Sequence, residues 1–239
     1  MLSAYACGMS RPVILNPQAV PVVGTDEHLP AVAPAVLQPE ALRQRFVMPP
    51  AWQLEIPGDG GLHATRPPAA AAVLIPLVMH AEGLRLLLTR RTAHLRDHAG
   101  QISFPGGRVE PQDGSAIATA LRETEEEIGL ARAHIEVIGQ LPVYTTVTAF
   151  QVTPVVALVR PGFGLTLDAF EVAEAFEVPL DFLMTPAHHQ HHLFSYEGGQ
   201  RQFLSMPWRG PDLAGEMREY FIWGATAAML RNFYRFLSA

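Results

Sequence analysis

Three glutamates on one predicted helix are the residues of this sequence best suited to chemistry. The segment from Ala116 to Leu130 reads AIATALRETEEEIGL. With 100° between successive helical residues, Glu123, Glu126 and Glu127 fall within an arc of about 100°, whereas Glu125 falls outside it. Clustered carboxylates repel one another unless cations lie among them, and such hard oxygen ligands suit Mg²⁺ or Mn²⁺. The spacing therefore indicates a site for a divalent cation.

The surrounding residues predict how this helix begins, ends and packs. Ser115 or Asp113 is suited to accept hydrogen bonds from the first-turn amides, and Gly129 suits the left-handed position after the last turn. Arg122 stands four residues before Glu126 and is expected to hold that carboxylate. The stripe expected to face the core, on the side of the helix away from the three glutamates, consists of Ile117, Leu121, Thr124 and Ile128. The small residues expected to leave space for another molecule beside the carboxylates are Ala116, Thr119 and Ala120.

A run of glutamates is by itself more typical of a solvated helix face than of a metal site. The preceding loop, from Phe104 to Ser115, changes this interpretation. It contains Pro105-Gly106-Gly107, and glycine, which lacks a Cβ, lets the main chain approach a ligand closely. Loop and helix together therefore favour a binding site over a solvated face.

This loop and helix resemble the Nudix box. The pattern of that family runs Gly, five residues, Glu, seven residues, then Arg-Glu, a bulky aliphatic, any residue, Glu-Glu, any residue, Gly and an aliphatic. The stretch 122–130 matches its second half, with Thr124 in the aliphatic position. Counting from Gly107, Asp113 stands where the first half has Glu, and eight residues separate it from Arg122. Glu110 is the alternative for that position.

A second signature precedes the box, from Leu87 to Gly107. It resembles the motif of the coenzyme A (CoA) pyrophosphatase branch of the Nudix family, which reads Leu-Leu-Thr, any residue, Arg, Ser or Ala, three residues, Arg, three residues, Gly, three residues, Phe-Pro-Gly-Gly. Every fixed position matches except Thr92, where Ser or Ala is usual. Because it fixes many positions, this motif is more specific for the substrate than the box. The resemblance extends from Pro67 to about Gly224.

The resemblance implies an α/β/α sandwich around a central mixed sheet. It also implies Mg²⁺- or Mn²⁺-dependent cleavage of CoA, or of a CoA derivative, to 4′-phosphopantetheine and adenosine 3′,5′-bisphosphate. By the match to the box, the leading metal ligands are Glu126 and Glu127. Glu123 is expected near the metal, and the Gly107 carbonyl is expected as a further ligand.

One carboxylate must stay free to accept the proton of the attacking water. Glu123 is one candidate by its position in the box. Glu171 is the other, because members of the family often draw a further catalytic glutamate from a loop before a strand. Glu174 competes with Glu171 for this role.

Three arginines are candidates for contact with the substrate. Arg91 and Arg96 belong to the upstream motif, and Arg108 lies beside the glycine turn. Guanidinium groups bind phosphate through paired hydrogen bonds, so the diphosphate or the 3′-phosphate of CoA is the expected partner. The alternative is that these arginines only support the glutamates.

Composition narrows the classes of partner. The 239 residues carry a formal net charge of −6, without a Lys/Arg-rich block, which argues against a nucleic-acid or membrane-surface partner. The single Cys7 cannot form an internal disulfide, which favours a reducing compartment and hence the cytoplasm. A small-molecule substrate is the expected partner, and a homodimer is compatible with the sequence.

Proline content divides the chain into two regions. Eleven of the 21 prolines lie within the first 68 residues, so residues 1–66 are predicted to form a Pro-rich arm, either a linker or an irregular strap, with one helix at Pro39–Phe46. Residues 67–239 are predicted to form the α/β domain. Its expected strands are Ala70–Met79, Leu84–Arg90, Ile135–Gln140, Gln151–Arg160, Phe176–Val178, Leu193–Tyr196 and Arg201–Met206, and its expected last helix is Ala225–Leu237. The turn at His80-Ala81-Glu82-Gly83 predicts that the first two strands form a hairpin.

Two rival functions share part of this evidence. One is the same fold and metal chemistry acting on ADP-ribose, NADH or a dinucleoside polyphosphate. The other is a sensor that binds a nucleotide without cleaving it, and the intact glutamates argue against it. The histidine cluster at 188–192 is expected to be a solvated loop rather than a metal site, because no carboxylate or cysteine framework accompanies it.

Overall fold

The computed structural model describes residues 14–59, 68–94 and 99–239. The strands in these ranges are β1 Val22–Thr25, β2 Ala69–His80, β3 Gly83–Arg91, β4 Ile102–Ser103, β5 Gly106–Arg108, β6 Ile135–Gln140, β7 Tyr144–Thr145, β8 Phe150–Val159, β9 Val172–Pro179, β10 Gln190–Tyr196, β11 Gly199–Pro211 and β12 Met217–Trp223. The α-helices are α1 Pro39–Val47, α2 Ala116–Ile128, α3 Leu180–Leu183 and α4 Gly224–Ser238. None of these helices combines the length and apolar character needed to cross a bilayer.

A mixed sheet forms the centre of the fold. Its main strand order is β4-β3-β2-β8-β6, with β5 paired to β2, β7 to β8 and β9 to β3. The pairing of β2 with β8 is parallel, whereas β2 and β3 form the predicted antiparallel hairpin. The central strand β2 as far as Met79, and the second part of β8 from Pro154 to Val159, are continuous apolar runs, as expected of strands that are covered on both faces. The predicted α/β/α sandwich with a mixed central sheet is confirmed.

Helix α2 lies directly on this sheet. The Ser115 hydroxyl accepts a hydrogen bond from the Ala118 N–H at 3.1 Å, and Gly129 ends the helix with φ 68°. Ala120 is fully buried against a cluster that includes Ala72 and Val155. The expectation that the small residues of this helix leave space for another molecule is therefore wrong. They let the helix backbone approach the strands closely instead.

A second, antiparallel sheet covers part of the face of the large sheet that lies opposite α2. Its strand order is β1-β10-β11-β12, and α4 packs against β11 and β12. The two sheets share one apolar core, in which the rings of Phe176 and Tyr220 stack with centroids 3.6 Å apart. The large sheet therefore has α2 on one face and the second sheet with α4 on the other.

The described part of the N-terminal arm, residues 14–59, packs into the domain. Leu42 of α1 is fully buried in the main core, and Val32 and Leu37 join the same cluster. The first strand of the arm pairs with β10. Residues 14–59 are therefore a strap that contributes to the core, and the boundary between arm and domain at residue 67 remains a prediction.

The histidine cluster is not a solvated loop, contrary to the expectation from sequence. His189 is fully buried and His192 is 2% exposed. His192 contacts the Val20 carbonyl and the Ser205 hydroxyl. His189 accepts a hydrogen bond from Arg231 at Nδ1, so its proton lies on Nε2 and is donated to the Leu183 carbonyl at 2.8 Å. These histidines link the arm, the second sheet and α4.

We expect His189 to make the stability of the fold sensitive to acid. Burial lowers the pKa of His189 to about 4, and the nearby Arg231 charge acts in the same direction, against the Leu183 hydrogen bond. Between this value and the ordinary histidine pKa, the unfolded chain binds the proton and the folded chain does not. The contribution of neutral His189 to the free energy of unfolding is therefore fully present above about pH 6.5 and is lost as the pH drops towards 4.

Urea unfolding of the wild type and of His189→Gln at pH 7.5 and pH 5.0 measures this effect. The variant keeps polar atoms at the site but does not titrate. We expect the wild type to lose about 2 kcal/mol more than the variant between the two pH values. Equal losses in both proteins contradict the assignment of the acid sensitivity to this side chain.

Candidate active site

The glycine loop brings main chain against α2. Gly106 has φ 152°, and a Cβ there would lie 2.4 Å from the Ala72 carbonyl oxygen. A Cβ on Gly107 would lie 2.5 Å from the carboxylate of Glu123. Gly106 therefore requires glycine, whereas a side chain at Gly107 would displace the Glu123 carboxylate. The predicted close approach of this loop is to a carboxylate of α2.

Glu127 lies beneath this loop. It is 5% exposed, accepts a hydrogen bond from the Gly106 N–H at 3.1 Å, and lies 3.7 Å from Arg91. Burial raises the pKa of Glu127 to about 8, and the charges of Glu171 and Glu123 add to the rise, against the Gly106 hydrogen bond and Arg91. The expectation that all three glutamates face away from the buried side of α2 is therefore wrong for Glu127.

Arg122 organises the exposed side of the same helix. Its guanidinium group lies 3.0 Å from Glu123 and 2.8 Å from Glu126, which confirms the predicted contact four residues apart. It also donates two hydrogen bonds to Asp113, at 2.9 and 3.0 Å. It donates a further hydrogen bond to the Arg108 carbonyl oxygen at 3.1 Å. One arginine thereby connects the glycine loop to two of the three glutamates.

Asp113 is a positioning residue for this arginine. Hydrogen bonds from Arg122 hold the pKa of Asp113 well below its usual range, and the Thr119 hydroxyl also donates to it. Glu110, the alternative from sequence, contacts Asp113 through its backbone N–H and carbonyl, and its side chain contacts Gln112. Of these two candidates for the glutamate position in the first half of the box, only Asp113 has its side chain in contact with Arg122.

Glu171 and Glu174 lie on opposite faces of the large sheet. Glu171 Oε2 lies 3.7 Å from Arg91, and its charge contributes to the raised pKa values of Glu123 and Glu127. Glu174 instead contacts Arg90 and accepts a hydrogen bond from the Tyr220 hydroxyl at 2.6 Å. Only Glu171 is therefore within electrostatic reach of the α2 carboxylates.

The three predicted substrate-binding arginines have different surroundings. Arg91 bridges Glu127 and Glu171. Arg108 is exposed, lies over the Phe150 ring at 4.9 Å, and makes no ion pair with any described residue. Arg96 lies outside the described residues. Arg108 therefore has its guanidinium free for an anionic ligand beside the carboxylate cluster.

The cluster has the composition of a divalent-cation site. Carboxylates from α2, the Asp113 loop and the loop before β9 outnumber the two arginines among them, and Glu127 is buried. Burial raises the pKa of Glu123 as well, against the pull of Arg122. The described residues contain no preassembled group of three or more metal-ligating side chains, because each carboxylate is turned towards an arginine or an amide. The donor chemistry fits Mg²⁺ or Mn²⁺, and a bound cation would offset the excess negative charge.

Comparison with known proteins identifies the family. A family model described as the NUDIX domain matches residues 67–196, more than half of the chain. The chain belongs to the Nudix family. A protein of Escherichia coli K12, named uncharacterized Nudix hydrolase NudL, is 43% identical over 162 residues, which cover 68% of this chain and 79% of that protein. The protein of the same name from Citrobacter koseri is 44% identical over the same shares.

Solved Nudix structures are more distant. The crystal structure of a binary complex of the Caenorhabditis elegans Ap4A hydrolase is 21% identical, with a TM-score of 0.41, and the match covers 50% of this chain and 85% of that one. The assignment rests on the sequence matches. Nudix hydrolases are pyrophosphohydrolases of nucleoside diphosphate derivatives and generally use divalent metals such as Mg²⁺ or Mn²⁺.

One feature of this Nudix site was not predicted from the sequence, namely the pair of hydrogen bonds between Arg122 and Asp113. The irregular spacing of Asp113 in the box was a usable signal, because an acid nine residues before an arginine can fold back on it. The position of Arg91 between two glutamates matches the alternative drawn from the sequence, that the arginines support the glutamates. Its two partners were not predictable, because they depend on the pairing of β3 with β9.

Proposed function

We propose that this Nudix hydrolase cleaves the diphosphate of CoA, or of CoA derivatives, to 4′-phosphopantetheine and adenosine 3′,5′-bisphosphate. The observation that carries the proposal is the position of Arg91. This residue is a fixed position of the CoA-branch signature, and its guanidinium lies between Glu127 and Glu171. The signature is therefore physically part of the carboxylate cluster and not a separate surface feature.

The proposed roles combine the family resemblance with the contacts of the described residues. Glu123, Glu126, Glu127 and the Gly107 carbonyl would hold Mg²⁺ or Mn²⁺. When bound, the cation neutralises the diphosphate and lowers the pKa of the attacking water. Arg122 orients Glu123 and Glu126, while Arg91, Arg96 and Arg108 are the proposed contacts of the substrate phosphates. Glu171 or Glu123 takes the proton as water adds to phosphorus and the bridging P–O bond breaks.

A substrate panel tests the proposal. Purified protein with Mg²⁺ is incubated with CoA, acetyl-CoA, ADP-ribose, NADH and diadenosine polyphosphates, and products are identified by mass. Release of 4′-phosphopantetheine from CoA is the expected result. Cleavage of ADP-ribose without cleavage of CoA rejects the substrate assignment, and binding without cleavage of any member of the panel favours the sensor.

The general base is tested by comparing Glu171→Gln, Glu123→Gln and Glu174→Gln across pH. We expect Glu171→Gln to lower kcat about 10²-fold and to flatten the limb of the pH profile set by deprotonation of the base. Glu174→Gln is expected to keep this limb, because Glu174 faces the opposite side of the sheet. If only Glu123→Gln flattens the limb, Glu123 is the base and Glu171 is not.

A further inference from the structure

Glu171 lies in a tight turn at residues 168–171, directly before β9, which we term the Glu171 turn. The Asp168 side chain accepts a hydrogen bond from the Phe170 N–H at 2.9 Å. The Asp168 carbonyl accepts from the N–H groups of Glu171 and Val172, at 3.0 and 2.8 Å. A short polar side chain that bonds to the backbone two residues ahead stabilises such turns. The backbone of Glu171 is therefore fixed relative to Asp168.

One side of the Glu171 turn is attached to the end of α2. The Thr166 N–H donates to the Ile128 carbonyl, and the Asp168 N–H donates to the Glu127 carbonyl, both at 2.9 Å. The carbonyl groups in the last turn of a helix have no partner within the helix, so they are available for bonds of this kind. The turn is thereby connected to the helix that carries the glutamate cluster.

The other side of the Glu171 turn is attached to Thr92, which directly follows β3. Thr92 is 7% exposed. Its N–H donates to the Glu171 carbonyl at 2.9 Å, and its hydroxyl donates to the Phe170 carbonyl at 2.8 Å. The pairing of β3 with β9 shifts register between Arg90 and Arg91. Because the regular ladder is interrupted there, the two bonds from Thr92 continue the attachment of the turn to β3.

The Glu171 side chain is held less firmly than its backbone. It is 43% exposed, and its ion pair with Arg91 is long, at 3.7 Å. An ion pair of this length and exposure constrains a side chain little. The place of the Glu171 carboxylate relative to the glutamates of α2 is therefore set mainly by the two backbone attachments of the Glu171 turn.

From this geometry we infer that the Thr92 hydroxyl positions Glu171 for proton transfer by holding the Phe170 carbonyl. The inference rests on the proposed function, in which Glu171 is a candidate for the general base. The bond from the Thr92 N–H is available to almost any residue, whereas the second bond needs a hydroxyl on a small side chain. Thr92 is also the position at which this chain departs from the upstream signature, where Ser or Ala is usual. Ser would keep the hydroxyl bond and Ala would lose it.

Substitutions at Thr92 test the inference. Thr92→Val removes the hydroxyl and keeps the shape, whereas Thr92→Ser keeps the hydroxyl. Thr226→Val is the matched control, because Thr226 of α4 is 6% exposed and its hydroxyl donates to the Ile102 carbonyl at 3.0 Å. We expect Thr92→Val to lower kcat about 10-fold with KM nearly unchanged, because a misplaced proton acceptor affects the transition state and not the binding of substrate. Thr92→Ser and Thr226→Val are expected to keep the wild-type kcat, and thermal melts establish that all variants are folded.

A double-mutant cycle shows whether the hydroxyl acts through Glu171. In the Glu171→Gln background, Thr92→Val is expected to cause no further loss of kcat, because no base remains to be positioned. A loss of about 10-fold in both backgrounds overturns the inference. A wild-type kcat in Thr92→Val or in Glu171→Gln also overturns it, and so does an equal loss in Thr92→Val and Thr92→Ser.

The cycle is measured with the member of the substrate panel that the wild type cleaves fastest, so that failure of this inference is separate from failure of the proposed function. If the wild type cleaves ADP-ribose and not CoA, the proposed substrate is rejected, while the cycle still decides the role of Thr92. If CoA is cleaved and the cycle gives an overturning result, the proposed substrate stands without this inference. If no member of the panel is cleaved, both fail.

Discussion

Replacing Glu127 with Gln is expected to lower kcat about 10³-fold, which corresponds to about 4 kcal/mol of transition-state stabilisation. The substitution removes a group that can ionise beside a bound cation and leaves the shape unchanged. The amide oxygen of Gln can still accept the Gly106 N–H, so the glycine loop should stay in place. What is lost is a carboxylate ligand at the centre of the cluster, where little water is present to replace it. Glu126→Gln is expected to lower kcat by a comparable factor.

Glu125→Gln is the matched control. It makes the same change on the same helix, one residue from Glu126, but Glu125 is half-exposed and pairs with Arg132 outside the cluster. We expect near wild-type turnover and an unchanged requirement for Mg²⁺. Titration of the activity with Mg²⁺ should show weaker activation only in the Glu126 and Glu127 variants. If either the Glu126 or the Glu127 variant turns over substrate at the wild-type rate, the residue that it replaces is not a metal ligand.

The elements around this site were largely predictable from the sequence because their signals are local. Ser115 and Gly129 mark the ends of α2, and both act as caps in the structure. The apolar run of β2 predicted a buried strand, and the β2–β3 hairpin was predicted from the turn between them. Short-range backbone preferences decide such features, and they do not depend on the rest of the fold.

The environments of individual side chains were less predictable. The helical angle placed Glu127 with Glu123 and Glu126, but its burial comes from the glycine loop folding over it and from Arg91 on a distant strand. In the same way, the histidines at 188–192 are polar in sequence, yet pairing of β10 with β1 and β11 encloses His192, and contacts with α4 enclose His189. Tertiary pairing decides these environments, and no local pattern reports it.

The N-terminal arm shows most clearly that the sequence predicts elements better than it predicts the contacts of individual side chains. Its prolines predicted a linker or a strap, and the structure shows a strap fixed by charge. Arg231 of α4 is 1% exposed and lies 3.0 Å from Asp26 and 2.8 Å from Glu55. Both carboxylates come from the arm, and His189 accepts a further hydrogen bond from the same guanidinium. The only charges that compensate this buried cation among the described residues thus belong to the arm.

Removing these two charges should therefore destabilise the whole fold. We expect the double variant Asp26→Asn, Glu55→Gln to lose about 3–5 kcal/mol of unfolding free energy, because it leaves Arg231 buried without a counter-charge. Glu40→Gln with Glu136→Gln is the matched control, since these acids pair with Arg43 at the surface and exposed pairs contribute at most about 1 kcal/mol.

Urea unfolding at pH 7.5 measures both double variants against the wild type. Adding Arg231→Met to the Asp26→Asn, Glu55→Gln variant should recover much of the loss, because a methionine there no longer requires a counter-charge. Recovery would show that the unpaired cation, rather than lost packing of the arm, is the main cause of the lower unfolding free energy. If the double variant is as stable as its control, the ion pairs do not fix the arm, and the apolar contacts of Leu42 and its neighbours must account for its attachment.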